Sequence, residues 1–228
     1  MIFHWSYLLL IPGMLLMFWA QSQVKGTYRK YSRVPSSLGL TGAQVAERIL
    51  SRMGISSVSV ELVEGELTDH YDPNENAVRL SQGIYHSTSL AAAAVAAHEC
   101  GHVLQDRKGY TFMKVRASLV PTANLGSKLG PALVIIGILL SSLGGLSSLF
   151  INIGIFLFAA VILFHLVTLP VEFDASARAL KLIDQLDILQ GEEKKGAKAV
   201  LQAAAWTYVA TALYAVLQLA QLILMSRR

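Results

Sequence analysis

The chain has 228 residues and a formal net charge of +4, with a pI near 9.2. Its apolar fraction of 54% exceeds the roughly 45–50% of soluble domains, and its charged fraction of 15% falls below their usual ~25%. The apolar residues gather at the N-terminus, between about Leu129 and Leu169, and at the C-terminus, which excludes one large soluble core and points to membrane spans. No basic stripe is interleaved with aromatics, so a nucleic-acid partner is not expected. The lone cysteine, Cys100, rules out an intrachain disulfide and fits a reducing compartment.

Met1 to Ala20 is apolar, with Trp5, Tyr7, Phe18 and Trp19 near its ends. This is the pattern of a spanning helix with interfacial aromatic belts. A cleaved signal peptide competes with that reading, but there is no basic n-region, and Phe18 stands where a small residue is wanted before cleavage after Ala20. Lys25, Arg29, Lys30 and Arg33 follow, and Val34 to Gly39 reads as a linker or turn. Thr41 is placed to cap a short amphipathic helix with Val45, Ile49 and Met53 at helical spacing, ending at Gly54. Val58–Val63 and Ala77–Ser81 read as strands on either side of a turn at Asp72–Asn76. Ser87, Thr88 and Ser89 offer caps for a helix over Leu90–Gln105.

The apolar block from Gly130 to Leu169 is too long for one helix across a ~30 Å hydrocarbon layer. Ser141 to Gly145 breaks it, giving a hairpin with a short first span and a longer second span that ends at Pro170, where a new helical segment begins. A last span is expected over about Ala199–Met225. The fold class expected is mainly α and multi-pass, with about four transmembrane helices and a small α+β unit. The segments are 1–20, 129–170 and 199–226 in the membrane, with 21–128 and 171–198 outside it. Of the 19 Lys and Arg, twelve lie between Lys25 and Lys128 and five between Arg178 and Lys198, while the hairpin tip has none. The positive-inside rule puts both basic segments in the cytoplasm. Arg227 and Arg228 then lie outside, against the rule.

Residues 98–102 read His-Glu-Cys-Gly-His, an H-E-x-x-H pattern on the expected helix. Positions i and i+4 share a helix face, so both imidazoles can reach one ion. Glu99 stands beside the first of them, where it can take a proton from an activated water. Cys100 points off that face and is read as packing. Gly101 costs about 1 kcal/mol inside a helix relative to Ala, so a second segment is expected to approach it closely.

Catalytic zinc takes three protein ligands and leaves one position open. The metzincin extension would need Gly and His where Gln105 and Lys108 stand, so the third ligand must come from elsewhere. Glu172 is the preferred candidate, because two spans return the chain to the side carrying His98 and His102. His165 and Asp174 are rivals, and Ser176 is placed to support Glu172. An extended peptide is imagined along Ala77–Ser81, with His70, Tyr71, Tyr85 and His86 as candidate donors to its oxyanion, though each has a structural reading.

The runs Tyr71-Asp72-Pro73, Val78-Arg79-Leu80-Ser81, Ala96 to Gln105 and Leu169 to Ser176 resemble the neutral zinc metallopeptidase family of bacterial membrane proteins, the YugP-like group. In layout the chain is similar to membrane gluzincins of the HtpX type. The resemblance implies proteolysis at the cytoplasmic face of the cell membrane, with Zn2+ as cofactor and the lipid bilayer and a protein or peptide as partners. It leaves homo-oligomerisation open. It also implies a later-helix glutamate in an E-x-x-A-D setting, which falls on Glu172, Ala175 and Ser176, with Ser176 in place of the aspartate. The alternatives are a metal-binding membrane scaffold or sensor without hydrolytic activity, and a transporter. The spans carry only His165 and Asn152 as notable polar groups, which disfavours the latter.

Overall fold

The structure is a computed structural model that describes residues 5–226. Arg227 and Arg228, and the topology expected of them, lie outside the described residues. A 3-10 turn at Trp5–Leu9 leads into α1 (Leu10–Tyr31). There follow α2 (Gly42–Arg52), β1 (Ser59–Val63), β2 (His70–Asp72), β3 (Ala77–Ser81), the short α3 (Gln82–Tyr85) and α4 (Leu90–Arg107). Three long helices complete the chain: α5 (Thr111–Leu139), α6 (Gly145–Gln185) and α7 (Glu192–Ser226). The chain divides into two compact units. Among the described residues, one comprises 5–20, 111–170 and 207–226, and the other 21–110 and 171–206.

Among the described residues, four helices are long and apolar enough to cross a membrane, and they lie within Trp5–Tyr31, Thr111–Leu139, Gly145–Gln185 and Glu192–Ser226. In the first unit α5 and α6 pack through small residues. Gly130 and Gly154 face each other so closely that a methyl group on Gly154 would lie 2.6 Å from the Gly130 carbonyl oxygen. Close backbone approach of this kind replaces the hydrophobic effect as the glue between apolar helices. Ser147 Oγ donates to the Gly137 carbonyl at 2.7 Å, and Val134, Phe158, Val161 and Leu222 form a buried cluster. Large apolar side chains such as Leu139 and Phe156 stand exposed on this unit.

Two sequence expectations are corrected here. Helix α6 runs unbroken through Pro170, so no new segment starts there. Proline removes one backbone donor, yet a long apolar helix tolerates it where neighbours satisfy the freed carbonyl. The first arm of the hairpin is not short, because α5 begins at Thr111 and carries Pro121 and Pro131 within it. The last helix, α7, begins at Glu192 and contains the whole expected span from about Ala199 to Met225.

The second unit holds a three-stranded sheet in the order β1-β3-β2, with β1 parallel and β2 antiparallel to β3. Strand β3 is central and pairs on both sides, so a peptide cannot add alongside Ala77–Ser81; among the described residues β1 and β2 are the outer strands of this sheet. Arg79 on β3 binds Glu61, Asp72 and Glu75 and ties the three strands together. Thr41 and Gln44 form a reciprocal capping box at the start of α2. Ser89 Oγ accepts from the Ala92 amide at the start of α4. Ile49, Val78, Leu80, Ile84, Val103 and Ile183 are fully buried and form the core that seats α4. Tyr71 on β2 donates to Asp106 on α4 at 3.0 Å. Burial, then that bond and the Asp106 charge, push the phenol up to about 12.

Candidate metal centre

Helix α4 is almost entirely buried, and it carries His98, Glu99 and His102 on consecutive turns of its Ala-rich body. The buried alanines Ala91–Ala94, Ala96 and Ala97 have strong helix propensity and small side chains, which lets neighbouring elements pack close to the helix. On α6, Glu172 is 3% exposed. The two His rings and the Glu172 carboxylate offer ligand atoms that all lie within 4.8 Å of one another. Glu172 Oε2 is 3.3 Å from His98 Nε2 and 3.6 Å from His102 Nε2. A tetrahedral site with bonds of about 2.0–2.1 Å has donor-to-donor edges of about 3.3–3.4 Å. The two distances to Glu172 lie close to that edge, and the donor set suits zinc.

The remaining ring nitrogens are held in place. Gln105 is fully buried, and its Nε2 donates to the Val171 carbonyl at 2.7 Å and to Asp174 Oδ2 at 2.8 Å. Both partners are acceptors, which fixes the amide orientation and turns Oε1 toward His102. His102 Nδ1 then donates to Oε1 at 2.9 Å and leaves Nε2 with its lone pair toward Glu172. Ser176 Oγ lies 3.2 Å from His98 Nδ1. Ser176 thus supports a histidine rather than Glu172, correcting the expectation from sequence. Asp174 binds Gln105 and Arg178 and takes no part in the three-donor cluster. His165 is likewise absent from it and packs edge-on against Phe164.

Glu99 is 6% exposed. Burial raises its pKa, an effect opposed by His98 and His102 and reinforced by Glu172. His102 loses proton affinity to burial, but the bond to Glu172, the charges of Glu99 and Glu172 and the Gln105 contact outweigh that loss and leave it above its ordinary value. Cys100 packs under α2 with Sγ 3.8 Å from the Ala46 carbonyl, and burial pushes its thiol far up, so it stays protonated. Gly101 is where the second segment arrives, at Ala175 on α6. Of the candidate oxyanion donors, Tyr71 is committed to Asp106, and exposed His70 lies 2.8 Å from the Thr68 carbonyl through Nδ1. Tyr85 and His86 stack edge to face, with ring centroids 4.9 Å apart.

Gln105 was missed as a functional residue. The clue available in sequence was its place one turn beyond His102, on the same helix face.

Two imidazoles one helical turn apart and a carboxylate from a second helix form a three-donor set of the kind that can hold one metal ion, with the buried Glu99 beside it. The chain belongs to the family described as "Putative neutral zinc metallopeptidase", which matches residues 6–227. It is similar to the "Putative membrane protease YugP" of Bacillus subtilis (strain 168), with 44% identity over 216 residues, covering 95% of this chain and 94% of that protein. The family name implies zinc. No solved structure matches the chain.

Proposed function

We propose that this protein is a membrane-embedded zinc endopeptidase that hydrolyses peptide bonds at the cytoplasmic membrane face. The observation that carries the reading is the convergence of His98, His102 and Glu172 within 4.8 Å, with Glu99 on the same helix as the two histidines. In this reading His98, His102 and Glu172 hold the ion. Zinc, when bound, polarises a carbonyl and makes water a nucleophile near neutral pH. Glu99 accepts the proton of the attacking water and returns it to the leaving amine. A carboxyl whose pKa is raised by burial is suited to both halves of that transfer. Gln105 and Ser176 hold the two rings so that each presents Nε2. The peptide lies against a free sheet edge; β2, bound to α4 through Tyr71, is the nearer in this scheme.

Membrane insertion is supported by the four long apolar helices and by exposed residues such as Phe156, which lipid would cover. The excess of basic residues on either side of the hairpin supports a cytoplasmic position for the unit of residues 21–110 and 171–206. The full chain, purified in detergent and loaded with zinc, is expected to cleave casein or itself, and a chelator abolishes this. Glu99→Gln keeps the zinc and loses the cleavage. Glu172→Ala loses the zinc. Full cleavage by Glu99→Gln sinks the hydrolase reading, while bound zinc without cleavage in the wild type favours a scaffold or sensor.

A further inference from the structure

Four cations follow the apolar part of α1 within nine residues: Lys25, Arg29, Lys30 and Arg33. A topological role alone would leave them spread around the helix. Instead three share one place. Lys25 and Arg29 lie one turn apart on α1, Arg33 lies just past its end, and all three line one cavity of about 610 Å3 with Tyr28, Ser32 and Ser87. Lys30 is turned away, over the Tyr31 ring at 5.0 Å. The volume lies within the usual range of ligand sites, roughly 300–1,000 Å3.

The charges in this cavity are not consumed by the fold. Arg79, Arg178, Lys194 and Lys195 all have carboxylate partners, and Arg107 bonds Ser57 and Asn76. Lys25, Arg29 and Arg33 are exposed and form no ion pair among the described residues. Glu66 is the single acid on the wall, so the lining keeps a positive balance. The cations sit close to the end of the apolar stretch, since Lys25 follows Ala20 by five residues on the same helix, about 7.5 Å at 1.5 Å per residue.

We propose that this cavity binds a phosphate-ester anion, as carried by the headgroup of an acidic phospholipid. Arg29 and Arg33 supply fork-shaped donors for phosphate oxygens, Lys25 adds a point charge, and the Tyr28 hydroxyl is a further donor. Juxtamembrane clusters of four or more cations are the general form of such recognition. The lipid source rests on the membrane reading above, while the phosphate chemistry does not.

The test places the full chain in nanodiscs of phosphatidylcholine alone and of phosphatidylcholine with phosphatidylglycerol. Lipids kept by the protein after gentle detergent extraction are counted by native mass spectrometry. Incorporation into phosphatidylcholine discs tests membrane insertion separately. The wild type is expected to retain phosphatidylglycerol over phosphatidylcholine. The Lys25→Gln/Arg29→Gln/Arg33→Gln variant, checked for unchanged zinc content, should lose that preference by at least about tenfold. Glu66→Gln removes the opposing charge and should raise retention, which keeps the proposal falsifiable if the triple variant fails to fold. Displacement of retained lipid by glycerol 3-phosphate assigns the ligand to the soluble pool, and persistence assigns it to the bilayer; either supports a phosphate site. Equal retention of both lipids by the wild type, with no binding of glycerol 3-phosphate, overturns it, as does full preference in the triple variant.

Discussion

Gly101 on α4 and Ala175 on α6 meet so closely that a methyl group on Gly101 would sit 2.4 Å from the Ala175 carbonyl oxygen. That oxygen belongs to backbone and cannot swing away. The contact lies between Glu172 and Ser176 on one side and beside His102 on the other, so it sets the separation of the metal donors. Gly101→Ala gains about 1 kcal/mol of helix propensity but forces two helices apart, at a net cost of roughly 1–3 kcal/mol. The variant is expected to unfold earlier in denaturant and to hold less zinc. Wild-type zinc content in Gly101→Ala would show that the helix spacing does not set the site.

Gln105 and Ser176 are expected to matter through the histidines they hold. Gln105→Ala frees the His102 ring and leaves the Val171 carbonyl without this donor, so zinc affinity should fall about 10–100-fold. Ser176→Ala removes the weaker contact to His98 and should have the smaller effect. Chelator competition on the purified variants measures both, and the reverse order of severity would contradict the assignment.

Zinc affinity should fall as pH is lowered. In the metal-free protein the His102 pKa lies above 6.5, so its neutral, ligating form is lost as pH falls through that raised value. Protons and metal compete for the same lone pair, and the competition therefore begins at a higher pH than for an ordinary imidazole. Glu172→Gln keeps the shape but removes the negative charge, and its competition midpoint should move to lower pH. A flat affinity between pH 8 and pH 5.5 would exclude the two rings as ligands.

The hairpin tip is expected outside the cell. Cys100 is buried and protonated, so a cysteine placed at Ser142 would be the only reactive thiol. Ser142→Cys should react with a membrane-impermeant maleimide added to intact cells. Reaction only after cell lysis would invert the proposed topology.

Local chemistry made much of the unit of residues 21–110 and 171–206 readable from sequence. Thr41 and Gln44 stand at capping-box spacing, Ser89 precedes an alanine run, and Ala77–Ser81 is flanked by a turn; each appears as a cap or strand in the structure. Gly101 was legible because glycine inside a strong helix needs a reason, and the reason is Ala175. The three-residue strand β2 was not, since His70–Asp72 is too short to show alternation. Pro170 misled because local rules end a soluble helix there, whereas packing sustains this one. Ser176 and Gln105 could not be assigned to His98 and His102 from spacing alone, because their partners lie on a different helix or depend on how the amide is oriented.

The histidines and their supporting carboxylate enter the world at different moments. Seventy-eight residues separate His98 from Ser176, and both arms of the apolar hairpin lie between them. At ribosomal rates of about 5–20 residues per second, the nascent chain carries the imidazole pair for several seconds before Glu172 exists. During that interval the cluster of three donors cannot form. In the proposed reading, a metal-loaded site therefore forms only after both arms of the apolar hairpin have been made.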